Sequence, residues 1–241
     1  MSTFLSIIIP AHNEENRLPD TLEQVLRFLE GQAFTSEVII VENGSADKTF
    51  EIAQGFAKRY KNVLVIQSER GKGAAVRCGM LEAQGEYRFM CDADLSMPVE
   101  EVTKFIPPAL NGFDIAIASR EALGAVRYNE PTYRHLGGRG INFIIQAMIL
   151  PGLNDTQCGF KCFHAGVAND IFKVQTLPGW SFDIELLYIA RRRKYRIKEI
   201  PIQWYYHSET KVSALRDAVQ MIKDIFRIRA NMWRGKYDET Q

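Results

Sequence analysis

Asp92 and Asp94 stand one residue apart at the end of a short apolar run, Phe89-Met90-Cys91. Aspartate is depleted in strand interiors, so a strand is expected to end here with both carboxylates at its tip. In an extended chain, residues i and i+2 point to the same side, and the two carboxylates can then face one point. Two unpaired carboxylates that close repel each other, so either one takes up a proton or a cation sits between them. Few hard oxygen ligands suit Mg²⁺ or Mn²⁺ bound jointly with substrate phosphates. A solvated turn or a helix cap is the bland reading of the same short pattern. The surroundings decide between them.

The elements that must position this pair alternate between strand and helix. Leu5 to Ile9 is an apolar, β-branched run ended by Pro10, as in a buried parallel strand. Asn13-Glu14-Glu15-Asn16 opens a helix whose apolar positions, Leu18, Leu22, Val25, Leu26 and Leu29, recur at helical spacing up to Gly31. A second strand spans Glu37 to Val41, and Asn43 to Asp47 turns into a helix from about Lys48 to Tyr60. Val63 to Ile66 is a third strand, and Arg70-Gly71-Lys72-Gly73 precedes a helix from about Ala74 to Ala83. Tyr87 to Cys91 is the fourth strand, Pro98 starts a helix to about Leu110, and Asp114 to Ala118 is a fifth strand. Such alternation with short links predicts a single α/β domain with a mostly parallel sheet, helices on both faces and right-handed crossovers. Ligands in such sheets bind beyond the carboxyl ends of the strands. The chemically capable residues fall there: His12 to Glu14, Glu42-Asn43, Arg70 to Lys72, Asp92 and Asp94, and Ser119-Arg120.

The second half is less regular. Glu121 to Thr132 lacks apolar periodicity and reads as a mobile loop. Tyr133 to Leu150 reads as a helix with an apolar end, Asp155 to Lys161 as a polar turn leading into a short strand, and Ser181 to Arg192 as an amphipathic helix. Arg196 to Trp204 reads as the strand that ends the sheet, His207 to Lys211 as a loop, and Ser213 to about Arg234 as a last helix. The expected organisation is a catalytic domain over 1–211, followed by a C-terminal amphipathic helix over 212–241 that packs on the domain or lies at a membrane interface.

Composition narrows the classes. The chain has 241 residues, 46% of them hydrophobic, enough for one sizeable core. A net charge of +1 supplies no global field toward nucleic acid, which is not an expected partner. The four cysteines, Cys78, Cys91, Cys158 and Cys162, lack a second pair or a histidine cluster for a zinc site and read as buried thiols in a reducing compartment. The N-terminus shows no basic region ahead of its first apolar run, so no signal peptide is expected. No apolar run approaches the ~20 residues that cross a bilayer. The expected state is soluble or peripheral.

The motifs Pro10-Ala11-His12-Asn13-Glu14, Gly44-Ser45-Ala46-Asp47, Arg70-Gly71-Lys72-Gly73, Asp92-Ala93-Asp94 and Ser119-Arg120, in this order, resemble family-two inverting glycosyltransferases of the GT-A (Rossmann-like) fold. Asp155 to Lys161 and Trp180 to Ala190 look like the dolichyl-phosphate glucosyltransferase branch, near the dolichyl-phosphate mannose synthases. The likeness runs from about Ser6 to Lys211. It implies a UDP-sugar donor, a divalent metal (Mg²⁺ or Mn²⁺) and a polyprenyl-phosphate acceptor. It also implies that Pro10, Ala11, Glu14 and Glu42 line the nucleotide. The family usually has aspartate where Glu42 stands, and the mannose synthases have glutamine where Ser96 stands. A glutamate can still accept a bond from a uracil N–H, which keeps UDP as the expected nucleotide. Glu42 can equally cap the following helix.

The chemistry follows from charge. Arg70-Gly71-Lys72-Gly73 sets two cations at a helix N-terminus, which suits phosphate. Arg77, deeper in that helix, reads as a surface charge or a site residue. A metal held by Asp94 with Asp92 would neutralise a leaving diphosphate, with Ala93 between them lining the donor. A lipid monophosphate is largely ionised at neutral pH and needs cations to hold it rather than a strong base. Arg120 is the first candidate, with Arg134 and Arg139 behind it. Asp155 reads either as a base that orients sugar hydroxyls or as a structural carboxylate in its turn. Lys211 matches a family loop that closes over the donor phosphates, or is an exposed lysine before a helix. Ile141 to Leu150 and the last helix, apolar stripes with basic flanks, fit either an interfacial helix on anionic lipid or packing on the sheet. The resulting expectation is inverting glucose transfer from UDP-glucose to a polyprenyl or dolichyl phosphate, at the cytoplasmic face of a membrane. The alternatives are mannosyl or other hexosyl transfer from a GDP- or UDP-sugar to the same lipid, and transfer to a non-lipid acceptor.

Overall fold

The computed structural model of the chain describes residues 2–206 and 214–238. Strands Leu5–Ala11 (β1), Ser36–Glu42 (β2), Val63–Gln67 (β3) and Tyr87–Met90 (β4) alternate with helices Leu18–Glu30 (α1), Thr49–Arg59 (α2) and Lys72–Glu82 (α3). After Ile115–Ser119 (β5) come the short strand Val126–Tyr128 (β6) and the helix Thr132–Met148 (α4). Lys161–His164 (β7), Ala165–Lys173 (α5), Phe182–Arg192 (α6), Ile197–Pro201 (β8), Gln203–Tyr205 (β9) and Ala214–Trp233 (α7) complete the described elements. The main sheet has the order β3-β2-β1-β4-β7-β5-β8, parallel except for β7, which runs antiparallel to both neighbours. The expected α/β, mostly parallel GT-A-like architecture is the observed one.

The all-apolar strands are explained by their two buried faces. Ile7 and Ile9 face one core with α1 and α2, while Ile8 faces the other with α3, α5 and α6. Alternate residues of a strand point to opposite faces, so a strand covered on both sides carries no polar alternation. Among the described residues no helix is long and apolar enough to cross a membrane.

Several local expectations are corrected. Helix α1 begins at Leu18, not at Asn13, because the polar run before it is bonded to the turn after β2. Asn13 N donates to Ser45 Oγ (3.0 Å), Glu14 N to Thr49 Oγ1 (2.7 Å) and Glu15 N to Asp47 Oδ2 (3.2 Å). The helix expected from Pro98 is a 3₁₀ segment, Val99–Phe105, followed by Pro107-Pro108. Proline lacks the N–H that a continuing helix requires. The stretch read as a mobile loop holds β6, which pairs in parallel with β9. Arg127 pins it: its Nε donates to the Arg120 carbonyl at 3.1 Å, and its guanidinium forms ion pairs with Glu121 and Glu130, each at 2.5 Å. The strand expected over Arg196 to Trp204 is split at Pro201–Ile202 into β8 on the main sheet and β9 on the small one. Helix α5 was not anticipated, although Val167, Ala168, Ile171 and Phe172 have helical spacing and are buried.

Candidate active site

The parallel strands β1, β2, β3, β4 and β5 bring their C-terminal ends to one edge of the sheet. Because β7 is antiparallel, it is its beginning that lies there, so Asp155 to Phe160 joins the same edge. The site is built from six loops.

Strand β4 ends at Met90, and the two aspartates lie in the turn beyond it rather than on an extended strand. The turn is held by Thr21 Oγ1, which donates to the Ala93 carbonyl at 2.7 Å, and by Ser96 N, which donates to Asp94 Oδ1 at 3.0 Å. Asp92 Oδ1 sits 2.6 Å from Lys72 Nζ. The other flank of its carboxylate rests on Gly159, where any β-carbon would overlap it. Lys72 begins α3, and the ring of Trp180 lies 5.1 Å from its ammonium. Burial works against the Lys72 charge, but Asp92, Asp183 and Asp94 outweigh it and raise its pKa. Burial, with Asp94 nearby, lifts the Asp92 pKa against the opposing pull of Lys72.

On the other side of the turn, Arg120 and Asp155 form a paired fork. Arg120 Nε donates to Asp155 Oδ2 at 2.7 Å, Nη2 to Oδ1 at 2.9 Å, and the Arg120 backbone N–H to Oδ2 at 2.9 Å. Burial opposes the Asp155 charge, yet Arg120 holds its pKa below the ordinary aspartate value. A carboxylate so held is a weak proton acceptor, which favours its orienting role over a basic one. The Arg120 guanidinium also lies 5.3 Å from the Trp204 ring. Arg134 Nη1 donates to the Tyr206 hydroxyl at 2.6 Å. Arg139, on the same helix, is exposed.

Where the resemblance expects the nucleotide, Ala11 is buried and Pro10 half-buried at the end of β1. Glu14, in the following loop, lies 3.5 Å from Arg17. Glu42 accepts bonds from Ser45 N and from Gln67 Nε2 (3.0 Å), which outweigh burial and lower its pKa. It therefore braces its own turn, and a base contact would exchange one of these bonds. Arg70 is exposed beside Lys72. Arg77 belongs to neither of its expected settings: Nε donates to the Phe172 carbonyl at 2.8 Å and Nη2 to that of Lys173 at 3.3 Å, tying α3 to the end of α5. Lys211 and its loop lie outside the described residues.

Sequence reasoning gives no site role to Gly159, Lys161, Trp180, Asp183 or Trp204, although the first four stand in the motifs Asp155 to Lys161 and Trp180 to Ala190. For metal, the described residues hold no group of three or more His, Cys, Asp or Glu side chains that could bind an ion. Asp92 and Asp94 would offer two carboxylates to an ion shared with a diphosphate, which is how Mg²⁺-type ions are commonly held.

Residues 6–172 match the model of glycosyl transferase family 2. Over 93% of its length the chain is 36% identical to the dolichyl-phosphate beta-glucosyltransferase of Drosophila melanogaster, covering 74% of that protein. The human protein of the same name is 34% identical over 97% of the chain and 77% of its own length. Among solved structures, the fold is similar to glucosyl-3-phosphoglycerate synthase from Mycobacterium tuberculosis in complex with UDP, with a TM-score of 0.67 and 17% identity over 95% of this chain and 80% of that one. The same enzyme in complex with Mn²⁺, UDP-glucose and phosphoglyceric acid superposes with a TM-score of 0.66 at 16% identity, covering 95% of this chain and 80% of that one. The chain belongs to glycosyl transferase family 2.

Proposed function

We propose that this chain is an inverting, metal-dependent glycosyltransferase that moves glucose from UDP-glucose to a polyprenyl or dolichyl phosphate at a membrane surface. The observation that carries the reading is the pairing of two cation-bearing sites on either side of one acidic turn, in a chain whose relatives are named dolichyl-phosphate beta-glucosyltransferase. Pro10, Ala11, Glu14 and Glu42 line the nucleotide, and Lys72 faces the donor diphosphate. Asp94, assisted by Asp92, would hold a divalent ion, which would supply charge neutralisation to the leaving diphosphate. Arg120, oriented by Asp155 and backed by Arg134, receives the acceptor phosphate with a planar fork suited to it. In-line attack by an already ionised phosphate oxygen inverts the anomeric carbon and gives a β-linked product from an α-linked donor. Lys211, outside the described residues, is assigned to the donor phosphates by the family resemblance alone.

The acceptor side continues into an apolar surface. Helix α4 turns Arg134 and the side-chain amide of Asn142 toward the protein, Asn142 Nδ2 donating to the Asn154 carbonyl. Its Tyr133, Leu136, Phe143 and Ile144 are exposed. At 100° per residue these four lie on one stripe. Helix α7 buries Met221, Ile225 and Ile228 but exposes Val219, Ile222, Phe226 and Trp233, with Lys223, Arg227 and Arg229 exposed alongside. A lipid-independent enzyme would pack such stripes away. Apolar stripes with basic flanks suit the interface of an anionic membrane, which supports peripheral attachment at a cytoplasmic face.

A donor panel tests the reading. UDP- and GDP-sugars are offered with a short polyprenyl phosphate, with and without Mn²⁺. Turnover of UDP-glucose with the metal is expected, and turnover of a GDP-sugar with none from any UDP-sugar would overturn it.

A further inference from the structure

Glu199 lies on β8, the edge strand of the main sheet, aligned with Ile117 of β5. Glutamate is depleted in strands, so the sheet itself gives no reason for it. Its bonds do. The carboxylate reaches across to the loop before β7. Oε1 accepts from Asn154 N at 3.0 Å and from Asp155 N at 2.9 Å, and Oε2 accepts from Asn154 N at 3.1 Å and from Asn154 Nδ2 at 2.9 Å. From the other side, Asn142 Nδ2 of α4 donates to the Asn154 carbonyl. The backbone of this turn is therefore clasped between β8 and α4. Its next group is the Asp155 carboxylate, which accepts Nε, Nη2 and the backbone N–H of Arg120. One unbroken run of hydrogen bonds leads from Glu199 through Asp155 to the Arg120 guanidinium.

A two-toothed carboxylate–guanidinium pair needs both oxygens in one plane with the fork. Asp155 has a short side chain, so the position of its carboxylate follows that of its backbone. Asp155 is almost wholly buried, whereas Glu199 is half-buried. Without an acceptor at 199, the N–H groups of Asn154 and Asp155 lose their partner, and the turn must shift to find another. We infer that Glu199 is a positioning residue for the acceptor: it fixes the backbone of Asp155 and, through Asp155, the plane and reach of the Arg120 fork. The inference rests on Arg120 as the cation that receives the acceptor phosphate. Every described bond to Glu199 comes from a neutral N–H group, so it acts by geometry rather than by charge.

Two variants separate this role from packing. Glu199→Met keeps the length of the side chain but has no oxygen to accept. Glu199→Gln keeps one carbonyl oxygen for Asn154 N and Asp155 N, and the Asn154 amide can turn its own oxygen to the new NH₂ group. Initial rates are measured with UDP-glucose, Mn²⁺ and a short polyprenyl phosphate, and UDP affinity is measured by calorimetry in Mn²⁺. In Glu199→Met, kcat/KM for the polyprenyl phosphate should fall roughly 10- to 100-fold, as expected for a displacement of about 1 Å or less at a binding group, while UDP affinity stays at the wild-type value. Glu199→Gln should bring the acceptor kcat/KM back close to wild type. Should Glu199→Met fail to fold, Glu199→Asp carries the test, since it keeps the charge but withdraws the carboxylate by one methylene: weakened acceptor use with retained UDP affinity is expected. Wild-type acceptor kinetics in a folded Glu199→Met or Glu199→Asp chain would overturn the positioning role. So would equal losses of UDP affinity and acceptor use, the mark of a brace that serves stability alone. A wild-type chain that binds UDP but transfers nothing to the polyprenyl phosphate would overturn the acceptor reading and this inference with it.

Discussion

Gly159 defines how closely the Asp92 carboxylate is seated, since any β-carbon there would overlap it. Gly159→Ala should therefore push Asp92 off Lys72, and a displacement of about 1 Å at reacting groups can cost ~10²-fold in rate. The expected result is a fall in kcat/KM for UDP-glucose of that order in a chain that still folds by circular dichroism. Asp94 differs, because its one described bond is from Ser96 N in its own turn. Asp94→Ala is expected to abolish turnover and leave the melting temperature almost unchanged; near-normal rates would remove the metal from the account. The acidic pair, Arg120 and Asp155 were legible as residues, because each stands in a short polar motif at a strand end. Their partners were not. Lys72 and Asp92, or Arg120 and Asp155, meet only through the sheet order, and Gly159 acts by the space it leaves, which no spacing rule records.

At the scale of elements, the parallel strands and helices α1 to α3 followed from apolar runs and helical spacing, because each is covered on both faces or on one. What local pattern did not reveal was direction and order. Nothing in Lys161 to His164 marks the strand as antiparallel, yet that reversal brings Asp155 beside Arg120. The 121–132 stretch is ordered by ion pairs of Arg127 rather than by periodicity, so a periodicity test reads it as loose. The Arg120–Asp155 link between β5 and the loop before β7 is nearly buried on the aspartate side. Removing one partner of such a pair costs about 3–5 kcal/mol, so Arg120→Met should lower the melting temperature as well as acceptor use. Its pH dependence has a definite sign. In the wild type the folded pKa of Asp155 is depressed, so the stability it contributes is present above the ordinary aspartate value and is lost as pH falls through the folded one. Without the Arg120 guanidinium, burial is opposed only by the backbone N–H of residue 120 and the charge of Lys161, so the Asp155 pKa rises relative to wild type and acid relieves the variant. The melting-temperature gap between the two should narrow from pH 7 to pH 4; a constant gap would contradict the pairing.

For the molecule as a whole, one edge of the sheet gathers the charged site while α4 and α7 expose apolar stripes beside it. The amphipathic character of α7 was legible from its spacing, but which of its two apolar sets would be buried depended on the neighbours it meets. Phe143→Asp with Phe226→Asp alters only exposed positions. Binding to anionic phospholipid vesicles, read by cosedimentation, should fall at least about tenfold, as burial of two phenylalanine side chains contributes roughly 1.5–3 kcal/mol each. Transfer to a short, detergent-dispersed acceptor should persist. The central claim, that a cationic acceptor site passes glucose across the Asp92–Asp94 turn from a UDP donor, is tested most directly by the product itself. Purified chain, UDP-glucose, Mn²⁺ and a short polyprenyl phosphate are incubated and the anomeric proton of the product is read by NMR. The expected result is a glucosyl phosphate lipid with β configuration; an α-linked product, or no transfer from UDP-glucose, would contradict the account.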